Sequence, residues 1–251
     1  MQVKAVLFDL FNTLILLENG DAFYMPSLKK LHECLAKNEI KVTFEEFVRA
    51  YFEVRDKLYA ETKRTLEDPH FNIRVSKTLQ KLGYELEPSN PTVQEATDAF
   101  CKKFIRYARP DEDAEYVLKQ LQGKYKLAIV SNLSIPEVVP KILKKFRLNN
   151  YFDVIVISGA VNKRKPSPEI YEKALAALGL KPHEAIFVGD TPGIDIKGAN
   201  AVGLKTVLIK RPPPPKGSTP LSYELPEAQE EAVPDKVVKS LKEVISYVED
   251  C

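Results

Sequence analysis

Five side chains fitted to nucleophilic, acid–base or charge-stabilising work sit at or just beyond the ends of apolar runs. Asp9 closes VKAVLFD, Ser131 closes YKLAIVS with Asn132 next, Lys165 follows FDVIVIS, and Asp190 closes AIFVGD with Asp195 five residues on. Each alone has an ordinary structural use as a helix cap, a turn former or a solvated charge. Their recurrence, in order and at the same end of successive runs, points to one pocket holding a carboxylate, a hydroxyl, an ammonium and a carboxylate pair. A carboxylate so placed can attack phosphorus or an activated carbon, giving a covalent intermediate that water later cleaves. Two positions after Asp9, where a second acid would be useful, FDLFNTL has Phe11.

The runs that carry these residues are β-branched and almost continuously apolar, and TVLIK at 206–210 is a fifth. That pattern predicts strands covered on both faces, as in a parallel sheet. Helical signals lie between them. Residues 110–121 place Ala114, Val117, Leu118 and Leu121 at helical spacing, Ser134 with Glu137 reads as a capping box before VVPKILKKF, and Ser167-Pro168-Glu169 opens a helix that stops at Gly179. Strands alternating with helices imply right-handed βαβ units, hence an α/β fold with a Rossmann-like doubly wound parallel sheet. In such a sheet, ligands bind outside the carboxyl ends of the strands, which is where the five side chains fall.

Residues 18–106 read differently. Thr43 with Glu46 caps a long helix striped by Phe44, Phe47, Val48, Tyr51 and Phe52, and Thr92 with Glu95 caps another running through Ala99, Phe100 and Phe104. The simplest organisation is an all-helical insertion at 18–106 within a core made of residues 1–17 and 107–251. After the fifth strand, RPPPP at 211–215 and the polar stretch to about 231 read as an extended loop, and VVKSLKEVISYV as a closing helix.

Composition narrows the function. A net charge of +2 over 251 residues gives no reason to expect nucleic acid or a membrane surface as partner. The apolar stretches are too short to span a bilayer, and Asp9 interrupts the one candidate signal segment. Cys34, Cys101 and Cys251 share no metal-ligand spacing and suit reduced thiols, so a cytoplasmic protein with a small-molecule substrate is expected. His32, His70 and His183 show no metal spacing either. Oligomeric state is not written in these features.

FDLFNTL, IVSN, RKPSPEIY and VGDTPGID with KGANAVG, in that order, resemble the four motifs of the haloacid dehalogenase superfamily of hydrolases. The resemblance implies a Rossmann-like core with a helical cap domain at 18–106. It implies Asp9 as nucleophile, and Mg2+ held by Asp9, the Phe11 carbonyl and Asp190 with Asp195 in support. It further implies Ser131, the Asn132 amide and Lys165 gripping substrate oxygens, and Thr13 orienting the nucleophile loop. Phe11 divides the functional expectation. Most phosphatases that the resemblance implies carry an acid there that protonates the leaving group, whereas haloacid dehalogenases carry an aromatic and release a halide that needs no proton. VGDTPGID resembles the metal-binding pattern, so a Mg2+-dependent phosphatase of a small phosphorylated metabolite is expected first. A 2-haloacid dehalogenase, with Arg49 or Arg55 as halide acceptor, comes second, and a catalytically weak phosphate-binding or regulatory protein third. Tyr51 and Tyr59 are candidates to face substrate. Asn12, at the family's usual glycine position, is expected in a left-handed turn.

Overall fold

The structure, a computed structural model, describes residues 3–17, 20–211 and 231–251. Its centre is β1 (Ala5–Phe8), buried along its whole length. It pairs in parallel with β4 (Lys126–Ser131) on one side and β6 (Ala185–Gly189) on the other. β5 (Val154–Ile157) extends the sheet beyond β4, and β7 (Lys205–Ile209) and β8 (Lys236–Val238) extend it beyond β6, all in parallel. The order β5-β4-β1-β6-β7-β8 has the reversal of a doubly wound sheet at β1. The expected fold class is therefore present.

Side-chain alternation along β1 explains the two buried layers. Ala5 and Leu7 pack with α8 (Pro168–Leu178) and Ala199 of α9 (Lys197–Val202). Val6 and Phe8 face the larger cluster, which contains α5 (Ala114–Leu121), α6 (Val138–Lys145) and α10 (Lys242–Glu249). A short α7 (Ser158–Val161) follows β5.

Between β1 and β4 lie four further helices: α1 (Tyr24–Lys37), α2 (Phe44–Thr65), α3 (Phe71–Lys81) and α4 (Pro91–Phe104). α1 packs on α4 and α2 on α3. The chain leaves β1 through β2 (Ile15–Leu17) and returns through β3 (Ala108–Pro110), and these two form an antiparallel ladder that the sequence pattern did not announce.

Three local expectations are corrected. Ser134 and Glu137 make no capping box at α6, because the helix starts at Val138 with Glu137 itself at the cap position and the Glu137 carboxylate bonds His70 Nε2 at 2.9 Å. α4 is capped two residues earlier than expected, by Asn90 Oδ1 accepting from Thr92 N, with Pro91 at the first helical position. VVKSLKEVISYV is not one helix, since Val237 and Val238 belong to β8. The box of Thr43 and Glu46 is as expected. The Pro-rich expectation at 212–215 and the polar stretch through 230 lie outside the described residues. Cys101 is buried, which pushes its thiol up to about 12 and leaves it a packing residue.

Candidate active site

β1, β4 and β6 end side by side, and their registers bring the predicted residues together. Phe8 lies opposite Ile129 and Val188, so Asp9 comes level with Val130 and Gly189, one residue short of Ser131 and Asp190, and its amide is fixed by Val188 O at 2.9 Å. Lys165 arrives from the loop before α8, buried to 1% exposure, with Nζ 2.6 Å from Asp9 Oδ1 and 2.7 Å from Asp195 Oδ1. The side-chain amide of Asn132 binds that loop in both directions, accepting from Lys165 N at 2.8 Å and donating to Lys165 O at 3.0 Å. The second strand end thus braces the ammonium.

Asp190 and Asp195 sit at the end of β6 around a single π-helical turn, Pro192–Ile196. Asp195 Oδ2 accepts from the amides of Asp190 and Thr191, each at 3.0 Å. Its carboxylate folds over Gly189 so closely that a Cβ on that glycine would lie 2.5 Å from Asp195 Cγ and Oδ2. Tyr171 on α8 supports the turn from below, donating to Ile194 O and Asp195 O.

Oxygens of Asp9, Asp190 and Asp195 come within 4.8 Å of one another. Burial, reinforced by the Asp195 charge and opposed by Lys165, pushes Asp9 up to about 6. Burial followed by Asp195 and Asp9 raises Asp190 well above the usual carboxylate range. Fully ionised, three carboxylates against one ammonium would carry two surplus negative charges, and hard oxygen donors with that surplus fit a divalent cation. Asp195 already spends its oxygens on Lys165 and two amides. Asp9 and Asp190 are better placed to meet an ion.

The loop after Asp9 folds back tightly. Asn12 takes φ 58, the left-handed turn expected of it, and its amide donates to Ile15 O. Thr13 is fully buried and its Oγ1 has no hydrogen-bond partner among the described residues. The carbonyls of Asn12 and Thr13 accept from Arg211 Nε at 2.7 Å and Nη2 at 2.6 Å, and Arg211 also pairs with Asp111 at 2.8 Å. Nothing local in the sequence marked Arg211, which stands just past β7. The Phe11 ring, half-buried, packs at 5.7 Å on Phe104 of α4, and Phe104 packs at 4.6 Å on Phe23.

The other candidates lie elsewhere. Arg49 is exposed beside Glu45, and Arg55 lies over Phe52 and pairs with Asp56. Tyr51 is fully buried, with its hydroxyl on that of Tyr24. His32 bonds Val42 O and His70 caps α3.

The model of the haloacid dehalogenase-like hydrolase family matches residues 3–203, and the chain belongs to that family of hydrolases. A glyceraldehyde 3-phosphate phosphatase of Methanopyrus kandleri (strain AV19) is 31% identical over 217 residues, covering 83% of this chain and 84% of that one. A solved HAD phosphatase from Thermococcus onnurineus, 26% identical, covers 98% of both chains with a TM-score of 0.61. A 2-haloacid dehalogenase from Pseudomonas syringae pv. Tomato DC3000 covers 99% of both with a TM-score of 0.68 at 19% identity, a likeness of fold alone. Among the described residues, no helix is long and apolar enough to cross a membrane.

Proposed function

We propose that the chain is a Mg2+-dependent phosphatase of a small phosphorylated metabolite, acting in the cytoplasm through an aspartyl-phosphate on Asp9. Residues 18–106 form its helical cap domain and residues 1–17 with 107–251 its catalytic core. The observation that carries this reading is the surplus of carboxylate at buried Asp9 and Asp195 and half-buried Asp190. Displacing a halide needs no such surplus, whereas attack of a carboxylate on an already anionic phosphate needs positive charge at the site.

In this reading Asp9 attacks phosphorus and the ester oxygen departs. Lys165, Ser131 and the Asn132 amide hold the non-transferring oxygens as charge develops on them. Thr13, with its unpartnered hydroxyl, and the braced nucleophile loop keep Asp9 in line. Asp9, the Phe11 carbonyl and Asp190 would hold Mg2+, with Asp195 supporting them through Lys165 and the turn. Bound there, the ion would supply Lewis-acid stabilisation of the phosphoryl oxygens. Phe11 has no proton to offer the leaving oxygen, so that proton comes from solvent or from the substrate itself.

A panel of phosphate monoesters and 2-haloacids, assayed with Mg2+ and with a chelator, tests the proposal. Phosphate release should require Mg2+ and fall to background in Asp9→Asn. Metal-independent halide release from a 2-haloacid would establish the dehalogenase instead, and tight phosphate binding without turnover the regulatory protein.

A further inference from the structure

The loop that presents Asp9 is fixed one peptide plane at a time. The Asn12 amide donates to Ile15 O at 2.7 Å and so sets the plane that carries the Phe11 carbonyl. The Leu14 amide donates to Leu10 O at 2.9 Å and sets the plane that carries the Thr13 carbonyl. The plane between them, Asn12–Thr13, has a single partner among the described residues, Arg211, whose Nε donates to Asn12 O at 2.7 Å. Its Nη2 donates to Thr13 O at 2.6 Å, so one rigid fork holds two successive carbonyls. Asn12 itself is left-handed at φ 58, a conformation that a side-chain-bearing residue keeps only where its surroundings over-determine it.

The fork is anchored in turn. Its Nη1 lies 2.8 Å from Asp111 Oδ2, and Asp111 is tied back to the same loop, its amide donating to Leu14 O at 2.9 Å. The other Asp111 oxygen accepts from Asp113 N. Side-chain exposures of 18% for Arg211 and 7% for Asp111 leave water little access to compete for these bonds. Neutralising Asp111 occupies one nitrogen of the guanidinium, and the other two are given to the backbone that follows the nucleophile.

We propose that Arg211 is a positioning residue for the reaction at Asp9, holding the nucleophile loop through the Asn12 and Thr13 carbonyls in the geometry from which Asp9 attacks. The proposal rests on the phosphatase reading of the site. Because Arg211 acts through the backbone of the loop, its loss should lower kcat and leave KM little changed.

Three variants separate positioning from stability. Arg211→Met removes every bond of the fork and leaves Asp111 without its cation. Arg211→Met combined with Asp111→Asn removes the same loop bonds without that unpaired charge, and Asp111→Asn alone keeps the loop bonds. With p-nitrophenyl phosphate and saturating Mg2+, kcat should fall about tenfold to a hundredfold in both Arg211 proteins, with KM within about twofold of wild type. Asp111→Asn should keep most of the wild-type kcat. Urea unfolding should show the double variant regaining stability that Arg211→Met has lost, without regaining kcat. Amide hydrogen exchange over residues 10–15 reads the loop without turnover, and it should quicken in the double variant but not in Asp111→Asn. If kcat returns together with stability, or if exchange of the loop is unchanged, Arg211 is a stabilising ion-pair partner only and the proposal is overturned with the phosphatase reading intact. Absence of phosphate release by the wild-type protein from every ester removes both. If neither Arg211→Met protein folds, Arg211→Lys is compared with Asp111→Asn, and equal kcat in those two overturns the proposal.

Discussion

At Phe11 the sequence poses a chemical question that the packing partly answers. The ring occupies the position from which an acid would protonate a leaving group, and it packs on Phe104 of the helical layer, which in turn packs on Phe23. Aromatic contacts of this kind contribute about 0.5–1.5 kcal/mol beyond burial, so the side chain gives anchorage where an acid would give rate. A positioned acid is worth about 100- to 10,000-fold. Phe11→Asp should therefore raise turnover of alkyl phosphates, whose leaving groups need a proton, well above any gain on p-nitrophenyl phosphate, whose leaving group does not. Parallel steady-state kinetics on the two substrates check this, and equal gains would place the missing acid elsewhere. Asp195 makes the complementary point, because a family motif marks it as one of a carboxylate pair while its contacts make it the partner of Lys165 and two amides.

The elements show which kinds of information were readable. Runs such as AIFVGD announced strands because a strand buried on both faces is apolar throughout, and Thr43 with Glu46 announced a helix start because a capping box is complete within four residues. Ser134 with Glu137 has the same local form, yet His70 lies within reach after folding and claims the Glu137 carboxylate. Val237 and Val238 read as the start of the closing helix because three strand residues are too few to show a period of two. Arg211 had no pattern around it. Arg211 nonetheless joins the end of β7 to the nucleophile loop and to Asp111, beside the ladder of β2 and β3. Arg211→Gln leaves the nearly buried Asp111 unpaired and should cost about 3 kcal/mol in urea unfolding. Adding Asp111→Asn should recover part of that loss, and strict additivity of the two changes would show that the pair is not coupled.

For the whole molecule, the placing of the four helices between β1 and β4 has a consequence for how the chain is made. The central strand is synthesised first, but its neighbours in the sheet are residues 126–129 and 185–188. A ribosome adding about 5–20 residues per second needs roughly 10–40 s to carry synthesis from the first strand through the last residues that pair with it. Until residues 126–129 are made AVLF has no strand beside it, and until 185–188 it has only one; the high sequence separation of these contacts makes closing the sheet slow. Nascent chains arrested with residue 125 outside the exit tunnel should leave Phe8 open to a protease that cuts after aromatic residues, and chains arrested beyond residue 210 should protect it. Equal protection at both lengths would show that β1 finds shelter before its partners exist. The strand that delivers the nucleophile is thus the first part of the sheet to be born and among the last to be safe, which makes this chain a natural client for factors that shield apolar segments during translation.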